Sequence, residues 1–191
     1  MRLFTAIELG DDVCARAGAL VETLRRRAEQ SAPRARVSWV APERMHLTLR
    51  FIGEVDDAKA ESIVAAMRAP IPIAPFGVRW HRLGAFPPRG APRVLWVGVA
   101  SGSAQLTAAE RAVSDRLHAL GIAREDRPYS PHLTLARVRE PAGLKTPPLF
   151  EGLDGALGDT HVNAITLFRS HLSPKGPTYV AMEKTALGSG R

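Results

Sequence analysis

The hydrophobic pattern changes period several times along the 191-residue chain, and each change marks an element. "RLFTAIEL" (2–9) is short, apolar and partly alternating, which predicts a strand. In 11–30, Val13, Ala17, Leu20, Val21 and Leu24 recur at helical spacing. Two acids lie in the first turn, and Arg25, Arg26 and Arg27 toward the end, where each complements the helix dipole. "SAPRAR" predicts a loop, "VSWV" a short strand, and "APER" a turn that feeds "MHLTLRFIG". "DDAKAESIVAAMRA" (56–69) predicts a second helix with Ile63, Val64 and Met67 on its apolar face. Pro70, Pro72 and Pro75 break the chain before a strand near 76–84, and "GAFPPRGAPR" (84–93) predicts a loop. "VLWVGVA" (94–100) predicts a strand, 101–121 a helix with Leu106, Val113, Leu117 and Leu120 inward, and "IAREDRPYSP" a turn-rich link to "HLTLARV". In the tail, "NAITLFRSHL" and "TYVAMEKTAL" around "SPKG" predict a hairpin that could complete a sheet.

This order contains a repeat. His-Leu-Thr-Leu occurs at 46–49 and again at 132–135, each time after a strand, a helix and a loop. A tetrapeptide repeated inside a repeated unit predicts two related lobes. Residues two apart on a strand share a face. His46 and Thr48 therefore point one way while Leu47 and Leu49 anchor in core, and His132 and Thr134 stand likewise against Leu133 and Leu135. If the units pack with approximate two-fold symmetry, two imidazoles and two hydroxyls meet across a groove. Imidazole titrates near neutral pH, so one ring can remove a proton while the other delivers one. Threonine hydroxyls add neutral donors for phosphate oxygens. A single His-x-Thr on a strand is more often an edge histidine with a local hydrogen bond than a catalyst, and the duplication reverses that weighting. Neither copy has HExxH spacing or an acid at strand spacing, so no metal and no cofactor are expected.

The charge adds a class of partner. Lys and Arg total 26 against 19 Asp and Glu, giving a net charge of +7, and a surface of that sign attracts anions such as nucleotides or RNA. The single Cys14 cannot form an internal disulfide, and no Cys/His cluster has zinc-finger spacing, which fits a reducing, cytoplasmic setting. The apolar start meets two acids too soon for a signal peptide. No apolar run approaches the roughly 20 residues of a membrane span. The expectation is a soluble, monomeric protein of one domain, 1–191, with two lobes.

With their surroundings, the motifs resemble a known family. "VSWVAPERMHLTLRFIGEV", "LGAFPPRGAPRVLWVGV" and "YSPHLTLARV" are similar to the 2H phosphoesterases, and most closely to the bacterial and archaeal RNA 2′,3′-cyclic phosphodiesterases once described as 2′-5′ RNA ligases. "RLFTAIEL" and "FRSHLSPKGPTYV" resemble the family's first strand and last hairpin, so the likeness spans nearly the whole chain. The resemblance implies an α+β, bilobal fold of two pseudo-symmetric lobes, each an antiparallel sheet backed by helices, with the motifs lining the cleft between them. It implies metal-independent hydrolysis of a 2′,3′-cyclic phosphate on RNA ends or nucleotides to a 2′-phosphomonoester, with a reversible 2′-5′ ligation as its counterpart. By carry-over His46 is the proton donor to O3′ and His132 the proton acceptor from water, with Thr48 and Thr134 holding the phosphate. The sequence alone leaves the two histidine roles interchangeable.

Other residues extend the candidate site. Arg137 resembles a family position near the phosphate, but five residues past His132 it has the wrong strand parity unless the chain bulges. Arg50 has the right parity with His46 and Thr48. Tyr129, Trp39, Phe86 and Tyr179 are candidates to stack on a base, with core or rim packing as the ordinary alternative. His81, His118, His161 and His171 lack a paired motif and are read as structural or exposed. Two rival functions compete: a nucleotide- or RNA-binding module that uses the cleft without turnover, and a basic structural RNA-binding protein, which leaves the repeated tetrapeptide unexplained.

Overall fold

In the computed structural model, which describes residues 1–173 and 176–188, the chain alternates strands and helices. The elements are β1 (Arg2–Glu8), α1 (Asp11–Ser31), β2 (Arg36–Trp39), a 3₁₀ turn (Pro42–Arg44), β3 (His46–Glu54), α2 (Asp57–Met67) and β4 (Phe76–Phe86). They continue as β5 (Val94–Ser101), α3 (Ser103–Ala119), β6 (Leu133–Glu140), α4 (Thr146–Phe150), β7 (Gly158–Val162), β8 (Ala164–His171) and β9 (Thr178–Ala186). The predicted strands and long helices are present, and the tail forms the β8–β9 hairpin, of whose "SPKG" link residues 174 and 175 lie outside the described residues. Two elements have no counterpart in the sequence reading. In α4, "TPPLF", prolines occupy the first helical turn, where their missing N–H is no loss. In β7, "GDTHV", only Thr160 and Val162 face inward, too little alternation to read as a strand.

Two antiparallel sheets result, of order β3-β1-β8-β9 and β2-β6-β5-β4-β7. Each motif strand pairs with the strand that opens its own unit, β3 with β1 and β6 with β5. The helices do not stay with those strands. α1, from the first unit, packs against β6 and β7 of the second sheet, while α3, from the second unit, packs against β3 of the first. The expectation that each unit makes its own lobe is therefore revised: the sheets keep their motifs, but the units exchange helices. After α1 the chain stays with the second sheet, adds β2 beside β6, and returns through the 3₁₀ turn to begin β3.

The exchange has an energetic consequence. Val13, Ala17, Val21, Leu24 and Ala28 of α1 and Leu106, Ala109, Val113 and Leu117 of α3 are buried in one continuous cluster with Leu47, Leu49, Leu133 and Leu135 of the motifs. Burying a leucine contributes roughly 1.5–3 kcal/mol, so opening the cleft by separating the sheets would expose apolar surface from both units. The two motif strands are held in fixed relation, and β3 and β6 are themselves in contact.

Candidate active site

The local chain around the two histidines is the same on both sheets. His46 opens β3 directly after the 3₁₀ turn, and His132 directly precedes β6 after Ser130 and Pro131. Each ring's Nδ1 meets the backbone carbonyl two residues upstream, Arg44 O at 2.9 Å and Ser130 O at 2.7 Å. A carbonyl can only accept, so Nδ1 carries the proton in both rings. Nε2 is left as the nitrogen that takes or gives a proton, in the same tautomer twice.

Aromatic rings hold each imidazole. His46 lies 4.9 Å from the Phe4 ring and edge-on to Tyr179 at 5.1 Å, with Phe168 at 6.4 Å. His132 lies edge-on to Phe86 at 5.1 Å, with Trp96 at 6.3 Å. Phe4, Phe168 and Trp96 were not legible as site residues. Cross-strand register explains their presence: Phe4 stands on the same face of β1 as Ala6, opposite Thr48, and Glu8, opposite His46, while Trp96 stands opposite Thr134. The alternation in "RLFTAIEL" and "VLWVGV" carries that signal, but nothing in it says which face meets the motif.

Both motif strands contain a bulge at the same place. On β3, Ala6 pairs with Thr48 but Thr5 pairs with Arg50, so Leu49 is an extra residue. On β6, Trp96 pairs with Thr134 but Leu95 pairs with Ala136, so Leu135 is extra. Leu49 and Arg50 are both buried, and so are Leu135 and Ala136. A bulge inverts the parity of everything beyond it. Arg137 is thereby brought to the face of His132 and Thr134, which is the condition the sequence reading set for it. The same inversion removes Arg50 from the face of His46 and Thr48, correcting its placement near the phosphate. Arg50 is 4% exposed behind the sheet, pairs with Glu125 at 2.7 Å and donates to the Ala123 carbonyl. Phe51 takes the place on β3 that Arg137 takes on β6.

Burial lowers the pKa of both imidazoles below the ordinary value, and the charge of Arg137 pushes both further down, against the raising effect of the Nδ1 hydrogen bonds. One cation thus lies within electrostatic reach of both histidines. Thr48 and Thr134, half-buried, share its face by register. The arrangement gathers two proton-exchanging nitrogens, two hydroxyls and a guanidinium about one cleft between the sheets.

The stacking candidates divide. Phe86 and Tyr179 stand at the cleft against the two imidazoles. Tyr129 does not: its hydroxyl donates to the Thr48 carbonyl at 3.1 Å, and burial pushes its pKa far up. It is a strut from the loop before His132 to the strand of His46, because the helix exchange carries that loop behind β3. Tyr129→Phe should lower unfolding free energy by about 1 kcal/mol, the ordinary value of one hydrogen bond, measured by urea denaturation. Trp39 also falls away from the cleft, on the face of Ala136 against α1. His81, His118, His161 and His171 are all exposed. Among the described residues no three His, Cys, Asp or Glu side chains gather to hold a metal ion.

The family model of the LigT-like phosphoesterases matches this chain twice, over residues 14–96 and 97–179. The chain belongs to that family. Each match contains one of the two His-Leu-Thr-Leu motifs. Curated relatives include an RNA 2′,3′-cyclic phosphodiesterase of Archaeoglobus fulgidus, 31% identical over 94% of this chain and 96% of the relative. One of Thermus thermophilus is 38% identical over 98% and 90%. Among solved structures, TT0787 of Thermus thermophilus superposes with a TM-score of 0.76 at 31% identity over the full length of both chains. LigT of E. coli, crystallised with 3′-AMP, shares the LigT-like fold at a TM-score of 0.71 and 23% identity, over 97% of each chain. The two-sheet α+β architecture and the 2H membership that the resemblance implied are those of this family.

Proposed function

We propose that this LigT-like phosphoesterase hydrolyses the 2′,3′-cyclic phosphate at RNA ends to a 2′-phosphomonoester. The observation that carries the reading is the matched pair of Nδ1–carbonyl hydrogen bonds, which sets two Nε2 atoms to work about one cationic centre. The names of its curated relatives support the same substrate class. Nε2 of neutral His132 takes a proton from water as the water oxygen bonds to phosphorus. The P–O3′ bond breaks, and Nε2–H of protonated His46 delivers its proton to the departing O3′. Arg137, Thr48 and Thr134 take the non-bridging oxygens, whose charge grows in the transition state. The product retains its O2′–P bond, His132 ends protonated and His46 neutral, and exchange with solvent resets both. A ribose 5′-hydroxyl in place of water would give a 2′–5′ joint by the same steps.

Both histidines lie on one chain, so the cleft is complete in a monomer. The lone Cys14, free and partly buried, supports a reducing cytoplasmic location. The deciding experiment is incubation with a 2′,3′-cyclic nucleotide in excess chelator, with the phosphate position in the product read by NMR. A 2′-phosphate formed at an undiminished rate is expected. Activity lost in chelator and restored by a divalent ion would replace His132 with metal-activated water. Tight binding without turnover would make the protein a nucleotide-binding module.

A further inference from the structure

The cleft continues past His46 into a trough of ≈ 660 Å³, of whose three guanidinium groups the reaction uses only Arg137. It starts at Phe4 and Tyr179, the rings that touch His46, and collects the residues five and seven positions past each histidine, Phe51 and Gly53 on β3 and Arg137 and Arg139 on β6. The bulges at Leu49 and Leu135 turn Phe51 and Arg137 to the faces of their histidines, and so toward the trough. Arg2, at the far end of β1, adds a third guanidinium.

Two properties of this lining point to a ligand. The first is charge: Arg2, Arg137 and Arg139 line the trough, no lining residue is acidic, and none of the three has a carboxylate partner among the described residues. Other surface arginines do find carboxylates, as Arg36 does in Glu140 and Arg79 in Asp159. The second is exposed apolar surface. Phe51 is 52% exposed and Leu172 67%, two of the three exposed large hydrophobics among the described residues, and both lie here. Unpaired guanidinium groups beside an exposed aromatic face suit single-stranded nucleic acid, whose phosphates take the cations and whose bases stack.

We infer that this trough binds the nucleotides upstream of the RNA end, with Phe51 stacking the base next to the terminal one and Arg2 and Arg139 taking its phosphate. The inference rests on the proposed hydrolysis and gives it direction. With His46 protonating O3′, the ribose of the scissile nucleotide lies on the His46 side, where the trough begins, and its 5′-oxygen leads the chain outward over Phe51. Phe51 stands one ring beyond Phe4, at 6.1 Å from it, and Phe4 in turn stands 4.9 Å from His46. Phe51 thus neighbours the ring that holds His46 rather than His46 itself. The pseudo-symmetric positions Phe51 and Arg137 have diverged, one to read a base and one to serve the phosphate. The preferred substrate is accordingly an oligoribonucleotide end rather than a free cyclic nucleotide.

The test compares adenosine 2′,3′-cyclic phosphate with a short oligoadenylate carrying the same terminus. Phe51→Ala, Arg139→Ala and Arg2→Ala should each lower kcat/KM for the oligonucleotide by about tenfold, while mononucleotide turnover stays within about twofold. All three side chains are exposed, and circular dichroism checks that the variants fold. In parallel, affinity for an oligoadenylate ending in a 2′-phosphate is measured across salt. The slope of log affinity against log salt should flatten by about 0.7 when Arg2 and Arg139, which share one phosphate, are both replaced. Equal losses on both substrates, or none on the oligonucleotide, would overturn the trough assignment. Should the wild type hydrolyse neither substrate, the functional reading fails, but variant-dependent binding and salt slopes would still locate RNA in the trough, and unchanged ones would remove it.

Discussion

His46→Ala and His132→Ala are each expected to lower turnover of a 2′,3′-cyclic nucleotide by about 10²- to 10⁴-fold, the range for a lost general acid or base. Both rings are partly buried but stand at the cleft, not among the leucines, so thermal unfolding should change little. If the two act on one displacement, as proposed, the double variant should fall far less than the product of the single losses. An independent multiplicative loss would mean that the two rings serve separate steps. The roles separate with a substrate whose O3′ leaving group is replaced by one that needs no proton: the variant of the acid should recover on it, and that of the base should not. Recovery of His132→Ala rather than His46→Ala would exchange the assignments. Near-wild-type turnover in either folded variant would remove that histidine from the mechanism.

Arg137→Met, which keeps the length and removes the charge, should lower kcat/KM by about 10²- to 10³-fold, as for a lost donor to a developing oxyanion. It should also move the pH profile, and the sign follows from the structure. Burial and the Arg137 charge both lower the imidazole pKa values from the ordinary 6.5. A bell-shaped profile of kcat/KM in the wild type therefore reports free-enzyme values below 6.5, and activity falls with rising pH once the acid histidine has lost its proton. Without the cation both values rise, so both limbs of the profile shift to higher pH. An unshifted profile with reduced kcat/KM would confine Arg137 to phosphate binding. A shifted profile with undiminished kcat/KM would confine it to tuning the imidazoles.

Much of the fold was legible because the elements that build it carry strong local periods. Val13, Ala17, Val21 and Leu24 mark α1, and Leu106, Val113 and Leu117 mark α3, whatever those helices pack against. α4 and β7 were not, since five residues with two prolines or two inward side chains hold too little pattern. The candidate site was legible to the extent that it is duplicated, through His46, Thr48, His132 and Thr134. Its arginines were inverted, since strict alternation favoured Arg50 and disfavoured Arg137, while the bulges at Leu49 and Leu135 decide the reverse.

By itself the sequence determined the long helices and all strands but β7, the burial of the four motif leucines and the identity of the paired imidazoles, because each depends on spacing within a few residues of chain. The exchange of α1 and α3 between sheets, the Tyr129 strut to Thr48, the ring cages of Phe4, Phe168 and Trp96, and the face taken by Arg137 and Phe51 were decided only by the tertiary structure. Those features depend on which surfaces meet and where a ladder slips by one residue. A local period specifies that a face is apolar but not what it will be pressed against, and a single extra residue in a strand reverses every side chain beyond it.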